Sequence, residues 1–237
     1  MTGRNKMKER RTLITAHSGS DGTPDNSMEF VRYALTTSAD ALEIDVRRAE
    51  GGLVISHDAA DGKAVELKEV FLAVKNHPIR INCDLKEHGL EEAVYILAEE
   101  CGLPEEQILY SGSVTPCAAS CDCRWKNVEI YWNVEECVPD IYVCEDGKEK
   151  NRIGGETADR IAEEYRARGI QVVNINEKYI NSIFLKKMEE NDMEISAWTV
   201  NDPERVCELL NLGARNITTR RPAAVLKLRE ERQKSGK

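Results

Sequence analysis

Short apolar runs of β type alternate with segments of helical period from about residue 12 nearly to the end of the chain, and no other feature constrains the fold as tightly. The β candidates are LITAH, ALEIDV followed by GLVISH, IRINCDL, QILYSG, VEIYWNV, QVVNIN, EISAWTV and ARNITT. Between them the helical pattern is clearest at NSMEFVRYALTTS, ELKEVFLAVKN, GLEEAVYILAEECG, ETADRIAEEYRARG, NSIFLKKMEEND and DPERVCELLNLG. With GLVISH counted as a Gly-turn extension of ALEIDV, eight β units with helical connections remain. That count predicts a closed (β/α)8 barrel of the TIM type rather than an open sheet. Punctuation agrees: Asn26 and Asp202 stand where N-caps belong, Pro203 takes a first helical position, and Gly102, Gly169 and Gly213 follow helices. A single barrel domain is expected over 1–237, with its core at about 12–228. The tail KLREERQKSGK reads as a solvated helix end, and the stretch 111–155, broken by Cys, Pro and Gly, is the least regular.

A formal charge of −9 disfavours nucleic acid or an anionic membrane as partner, so a small anionic substrate requires a locally cationic site. The start, MTGRNKMKERR, is charged and precedes only a short apolar run. Neither a secretory leader nor a membrane span is read here, and the expectation is a cytoplasmic protein without stable membrane insertion. The eight Cys are expected to be mostly reduced thiols; the cluster Cys117, Cys121 and Cys123 lacks the paired CxxC spacing of a zinc site.

Alternate residues of a strand share a face, so Glu43 and Asp45 in EID project the same way, close to the carboxyl end of their strand. Asp84 holds the same kind of position in IRINCDLK. At an effective dielectric near 20, two unit charges about 4 Å apart repel by roughly 4 kcal/mol, so three carboxylates on one rim either take up protons or hold a cation. Oxygen ligands suit a hard divalent ion, Ca²⁺ or Mg²⁺. His17 ends the first β run and His57 the extension GLVISH, which suits a general acid and base pair. His77 and His88 do not sit at strand ends and read as structural.

Taken in order, His17-Ser18-Gly19, Pro24-Asp25-Asn26-Ser27, Glu43-Ile44-Asp45-Val46, His57-Asp58, Asp84-Leu85-Lys86 and Trp198-Thr199-Val200-Asn201 resemble the motifs HRG, PENT, ExDV, HD, ExK and WTVN of the glycerophosphodiester phosphodiesterase family. The resemblance spans about residues 12–225. It implies a barrel of the PLC-like phosphodiesterase type that hydrolyses glycerophosphodiesters to an alcohol and glycerol 3-phosphate with one divalent cation. By the same resemblance Glu43, Asp45 and Asp84 are the metal ligands, His17 and His57 the acid/base pair, Lys86 lies near the phosphate, and Trp198 forms an apolar wall.

This chain departs from those motifs in a few places. Ser18 stands where the family form has Arg, so either another cation compensates or the substrate differs; Arg47, which continues the alternation of Glu43 and Asp45, is the candidate cation. Asp84 and Asp25 each replace a Glu. Only 26 residues separate His57 from Asp84, too few for the capping insertion many members carry, so an open mouth is expected. Two other readings stay open: a barrel that binds a phosphorylated or polyol ligand without turnover, and a lysophospholipase D-like phosphodiesterase of altered substrate.

Overall fold

The computed structural model describes residues 11–59, 62–117, 122–143 and 153–235. Ten strands form among these residues, namely β1 (Leu13–Ala16), β2 (Ala41–Ala49), β3 (Gly52–Ile55), β4 (Val65–Glu66), β5 (Arg80–Leu85), β6 (Ile108–Gly112), β7 (Glu129–Asn133), β8 (Val172–Asn176), β9 (Glu194–Trp198) and β10 (Asn216–Thr219). Strands β1, β2 and β5 to β10 pair in that order, each parallel to the next, and β10 returns to pair with β1. This closes the eight-stranded barrel that the alternating pattern predicts. GLVISH is no barrel member: β3 folds back antiparallel on β2, pairing Val46 with Ile55, and β4 adds to its edge. Its Glu50-Gly51 turn lets a long β2 leave the barrel rim as a hairpin arm.

Seven α-helices form among the described residues. They are α1 (Met28–Thr36), α2 (Leu67–Val74), α3 (Glu91–Cys101), α4 (Gly155–Ala167), α5 (Ser182–Glu190), α6 (Pro203–Leu212) and α7 (Pro222–Ser235). The expectation of a helix in every connection fails once. Between β6 and β7 no helix forms among the described residues, and Trp125 packs edge-on against Tyr110 there, ring centroids 6.0 Å apart. Cys117 and Cys123, expected to be loop thiols, are disulfide-bonded in this connection, while Cys121 lies outside the described residues. Asp202 caps α6 by accepting from the Arg205 N–H at 2.9 Å, with Pro203 at its start. Asn26, however, does not cap α1; Ser27 does, accepting from the Phe30 N–H at 3.1 Å. Among the described residues no helix is long and apolar enough to cross a membrane.

The main apolar core lies between the barrel and its helices, where Ile44, Val46, Ile81, Cys83 and Leu85 meet Phe30, Val70, Phe71 and Val94. The barrel interior is different. Strand register places Arg80, Glu129 and Glu194 at the amino end, where Glu129 accepts from Arg80 at 2.6 Å and from Arg215 at 2.8 Å. A small apolar plug of Leu109, Tyr131 and Val172 follows. Toward the carboxyl end the inward positions are polar, and Asn216 joins Thr15, Ser196 and Thr218 in one hydrogen-bonded set. Burying that many polar groups is tolerable only because they satisfy one another or face a ligand cleft.

Residues 230–234 of α7 are exposed, as expected of a solvated helix end, but the turns before them are tied in. Val225 and Leu226 are buried, and the buried Arg229 bonds the Asp40 carboxylate and the Thr12 carbonyl at 3.1 Å. Asp40 in turn accepts from the Ile14 N–H at 2.8 Å, so this one ion pair clips the last helix to the first strand. Replacing Arg229 by Met is expected to lower unfolding free energy by about 3 kcal/mol, the low end for a broken buried pair, because Arg11 also bonds Asp40. Urea denaturation of the wild type and the variant checks this value.

Candidate active site

The inward carboxyl ends of the strands surround a cleft of about 330 Å³. Parallel register sets Asp45 beside Asp84 and Asp84 beside Ser111, while Glu43 lies one inward position deeper on β2, beside Asn82. Ligand oxygens of Glu43, Asp45 and Asp84 come within 4.8 Å of one another. Each is held by neutral donors as well. The Ser18 N–H reaches Glu43 Oε2 at 3.2 Å, Asn26 Nδ2 reaches Asp45 Oδ2 at 2.7 Å, and Ser111 Oγ donates to Asp84 Oδ1 at 2.8 Å. Asn26 also accepts from the Asp45 N–H at 3.0 Å, so this residue positions a carboxylate instead of capping a helix.

Lys86 places its ammonium between two of the three acids, 2.7 Å from Asp45 Oδ1 and in contact with Asp84 Oδ2. One positive charge against three carboxylates leaves two charges unbalanced. The consequence falls on Glu43, which is buried: desolvation, opposed by His17 and reinforced by Asp45 and Asp84, pushes its carboxyl up to about 7. Burial alone would also raise Asp45, but Lys86 and Asn26 outweigh it and hold the carboxyl below its usual range. Lys86 is likewise kept protonated against its burial by Asp84 and Asp45. The donor set suits a hard divalent ion: three carboxylates at hand, two net charges to neutralise, and no soft ligand among them.

His17 and His57 both line the cleft, from the end of β1 and from the hairpin arm respectively. His17 Nδ1 lies 2.8 Å from the Ser18 carbonyl and 3.6 Å from Glu43 Oε2, and His57 Nδ1 lies 3.0 Å from Asp58 Oδ1. The Ser18 carbonyl and the Asp58 carboxylate can only accept. Nδ1 therefore carries the proton in both rings, and each Nε2 is left as the nitrogen for proton exchange. His17 is half-buried; His57 is exposed, with 70% of its side chain accessible, as befits the open mouth expected from the short 57–84 interval.

Lys86 and Trp198 line the cleft, whereas Arg47 does not. Its Nε donates to the His57 carbonyl at 2.9 Å and its Nη1 meets Glu87 at 3.2 Å, so it braces the arm carrying His57. Arg220, Asn82, Ser111, Asn133, Glu135 and Asn174 complete much of the wall, and the sequence reading missed them. Their signal was there: Ser111, Asn133 and Asn174 are polar residues at inward positions near the ends of otherwise apolar β runs. Three atoms in this wall, Asn82 Oδ1, Asn174 Oδ1 and Trp198 Nε1, are buried without a hydrogen-bond partner among the described residues. Unpaired buried polar atoms are costly, and a ligand with hydroxyl groups would satisfy them.

The raised Glu43 carboxyl makes metal-free stability pH-dependent. The folded chain holds this proton more tightly than the unfolded chain, so stability is lost as pH rises from about 4.5 to about 7. In chelator, Glu43→Gln should remove about 3 kcal/mol of that decline relative to the wild type. Denaturant melts of both proteins at pH 4.5 and 7.5 measure the difference.

No protein-family model matches the sequence, and no curated protein does. Solved structures do match in three dimensions. A protein of Agrobacterium tumefaciens assigned as a glycerophosphoryl diester phosphodiesterase is 17% identical, with a TM-score of 0.75 over 94% of this chain and 99% of that one. The glycerophosphodiester phosphodiesterase of Thermotoga maritima is 18% identical, with a TM-score of 0.65 over 92% and 99%. A phosphodiesterase of Oleispira antarctica, solved with its product sn-glycerol-3-phosphate, is 17% identical, with a TM-score of 0.67 over 92% and 96%. The chain thus has the barrel fold of glycerophosphodiester phosphodiesterases, along nearly the full length of each.

Proposed function

We propose that this protein is a phosphoric diester hydrolase that cleaves glycerophosphodiesters to an alcohol and glycerol 3-phosphate. The observation that carries the reading is the convergence, in one cleft of this barrel, of two Nδ1-protonated histidines with three carboxylates. Glu43, Asp45 and Asp84 would hold a divalent cation, Ca²⁺ or Mg²⁺, which when bound neutralises charge developing on the phosphoryl oxygens. The chain's own groups do the rest. One neutral imidazole takes the proton of the attacking hydroxyl at its Nε2, while the other ring enters as imidazolium and gives its Nε2 proton to the departing alkoxide; the nucleophile is water, or a neighbouring glycerol hydroxyl whose cyclic phosphate product water then opens by the reverse proton transfers. Each such role is worth roughly 10² to 10⁴ in rate. Lys86 stands close enough to the carboxylates to serve a phosphate oxygen beside them. Trp198 closes one side, and the unpartnered atoms of Asn82 and Asn174 suit the hydroxyls of a glycerol moiety. Leu72, Val143, Ile183 and Leu212 are the exposed large apolar side chains among the described residues, and none lines the cleft, which favours a small head group over an acyl chain.

A second reading, ligand binding without turnover, draws on the Lys86 ammonium occupying the space between Asp45 and Asp84. Ion binding and turnover separate the two. Ca²⁺ or Mg²⁺ should raise the melting temperature of the wild type, and release of glycerol 3-phosphate from glycerophosphodiesters should follow. His17→Ala and His57→Ala are each expected to lose about 100-fold or more in kcat while still being stabilised by the cation. Full activity in both variants would end this mechanism, and cation binding without turnover of any diester would leave the binding reading.

A further inference from the structure

A phosphodiester is an anion, and the cleft that would receive it is short of cations. Among the described residues, its walls carry the carboxylates of Glu43, Asp45, Asp84 and Glu135 against two permanent positive charges, Lys86 and Arg220. Lys86 is already shared by two carboxylates. Arg47 is turned away to Glu87. Arg220 differs: its partner is Asp25 at 2.7 Å, and both side chains are substantially exposed, 41% and 57%. An ion pair of that exposure is weak, so its guanidinium can be drawn to another anion at little cost.

Everything around Arg220 holds it at the rim. Its N–H donates to Asn201 Oδ1 at 2.9 Å, and its carbonyl accepts from the Asp21 N–H at 2.9 Å. The pair it makes with Asp25 lies directly against the His17 loop. A Cβ on Gly19 would come within 1.9 Å of Asp25 Oδ1 and 2.8 Å of Arg220 Nη1, and Gly19 itself has φ of 74°, where glycine is favoured. The WTVN-like segment therefore positions Arg220 through Asn201, and the glycine two residues after His17 leaves room for it.

We propose that Arg220 is the residue that takes the substrate's phosphate oxygens, supplying from just after β10 the guanidinium that Ser18 does not provide after β1, with Asp25 as the anion displaced. The assignment rests on the phosphodiesterase reading. A guanidinium fork offers two parallel N–H donors to a phosphate, where an ammonium is a point charge.

The test uses the full chain with Mg²⁺ or Ca²⁺ and two independent readouts. In calorimetry with sn-glycerol 3-phosphate, Arg220→Gln should bind roughly 10- to 100-fold more weakly, Arg220→Lys should recover part of the loss, and Asp25→Asn, which removes the competitor, should bind several-fold more tightly. In turnover, KM should move in the same directions. Equal affinity of Arg220→Gln and wild type, or weaker binding by Asp25→Asn, would make the pair a structural strap and overturn the assignment. A wild type that binds sn-glycerol 3-phosphate through Arg220 and cleaves no diester would sink the hydrolase reading and keep Arg220 as the phosphate ligand.

Discussion

The parallel register of β2 and β5 is the constraint from which the chemistry of this protein follows. Hydrogen bonding between these strands puts Asp45 level with Asp84, and the two-residue period of the pleat returns Glu43 to the same inward face. A slip of one residue in β2 would send Glu43 and Asp45 into the apolar layer beneath the helices and expose Ile44 to the cleft, and the same slip in β5 would do so for Asp84 and Cys83. Burial of Ile44, Val46, Cys83 and Leu85 on the helix side therefore holds the acids on the other side. The electrostatic tension among them is sustained by packing energy spread over the whole barrel wall.

That tension is shared unequally. Asp45 lies near Lys86 and Asn26 and stays ionised, whereas Glu43, deeper and without a permanent cation of its own, holds a proton toward neutrality. Lys86 is the internal counter-charge, and a divalent ion would supply what a single ammonium cannot. The acidic balance of the whole chain is repeated inside the cleft. An anionic ligand therefore depends on local positive charge, which the tertiary structure concentrates at Lys86 and Arg220.

Much of this was legible in advance because barrel strands obey a simple period. Inward positions could be counted off from EID and CDLK, and the eight β runs were visible as apolar stretches bounded by Gly, Asn and Asp. Three features were not legible for identifiable reasons. Asn26 looks like a helix cap because caps and carboxylate-binding amides use the same side chain, and only the approach of β2 decides between them. The β6–β7 connection looks irregular without revealing that Trp125 covers the barrel where a helix would lie. Arg47 shares the period of Glu43 and Asp45, but β2 runs past the rim at that point into the β3 hairpin, which carries the guanidinium to Glu87.

By itself, the amino-acid order determined the barrel, the inward placement of Glu43, Asp45 and Asp84, and the position of two histidines at strand ends, because each depends on local periodicity and burial. Only the tertiary structure decided which cations meet those acids and which buried polar atoms remain for a ligand. Arg220 reaches the His17 loop from the far end of the chain through barrel closure, pairing with a residue 195 positions away, and no local pattern encodes a contact of that range.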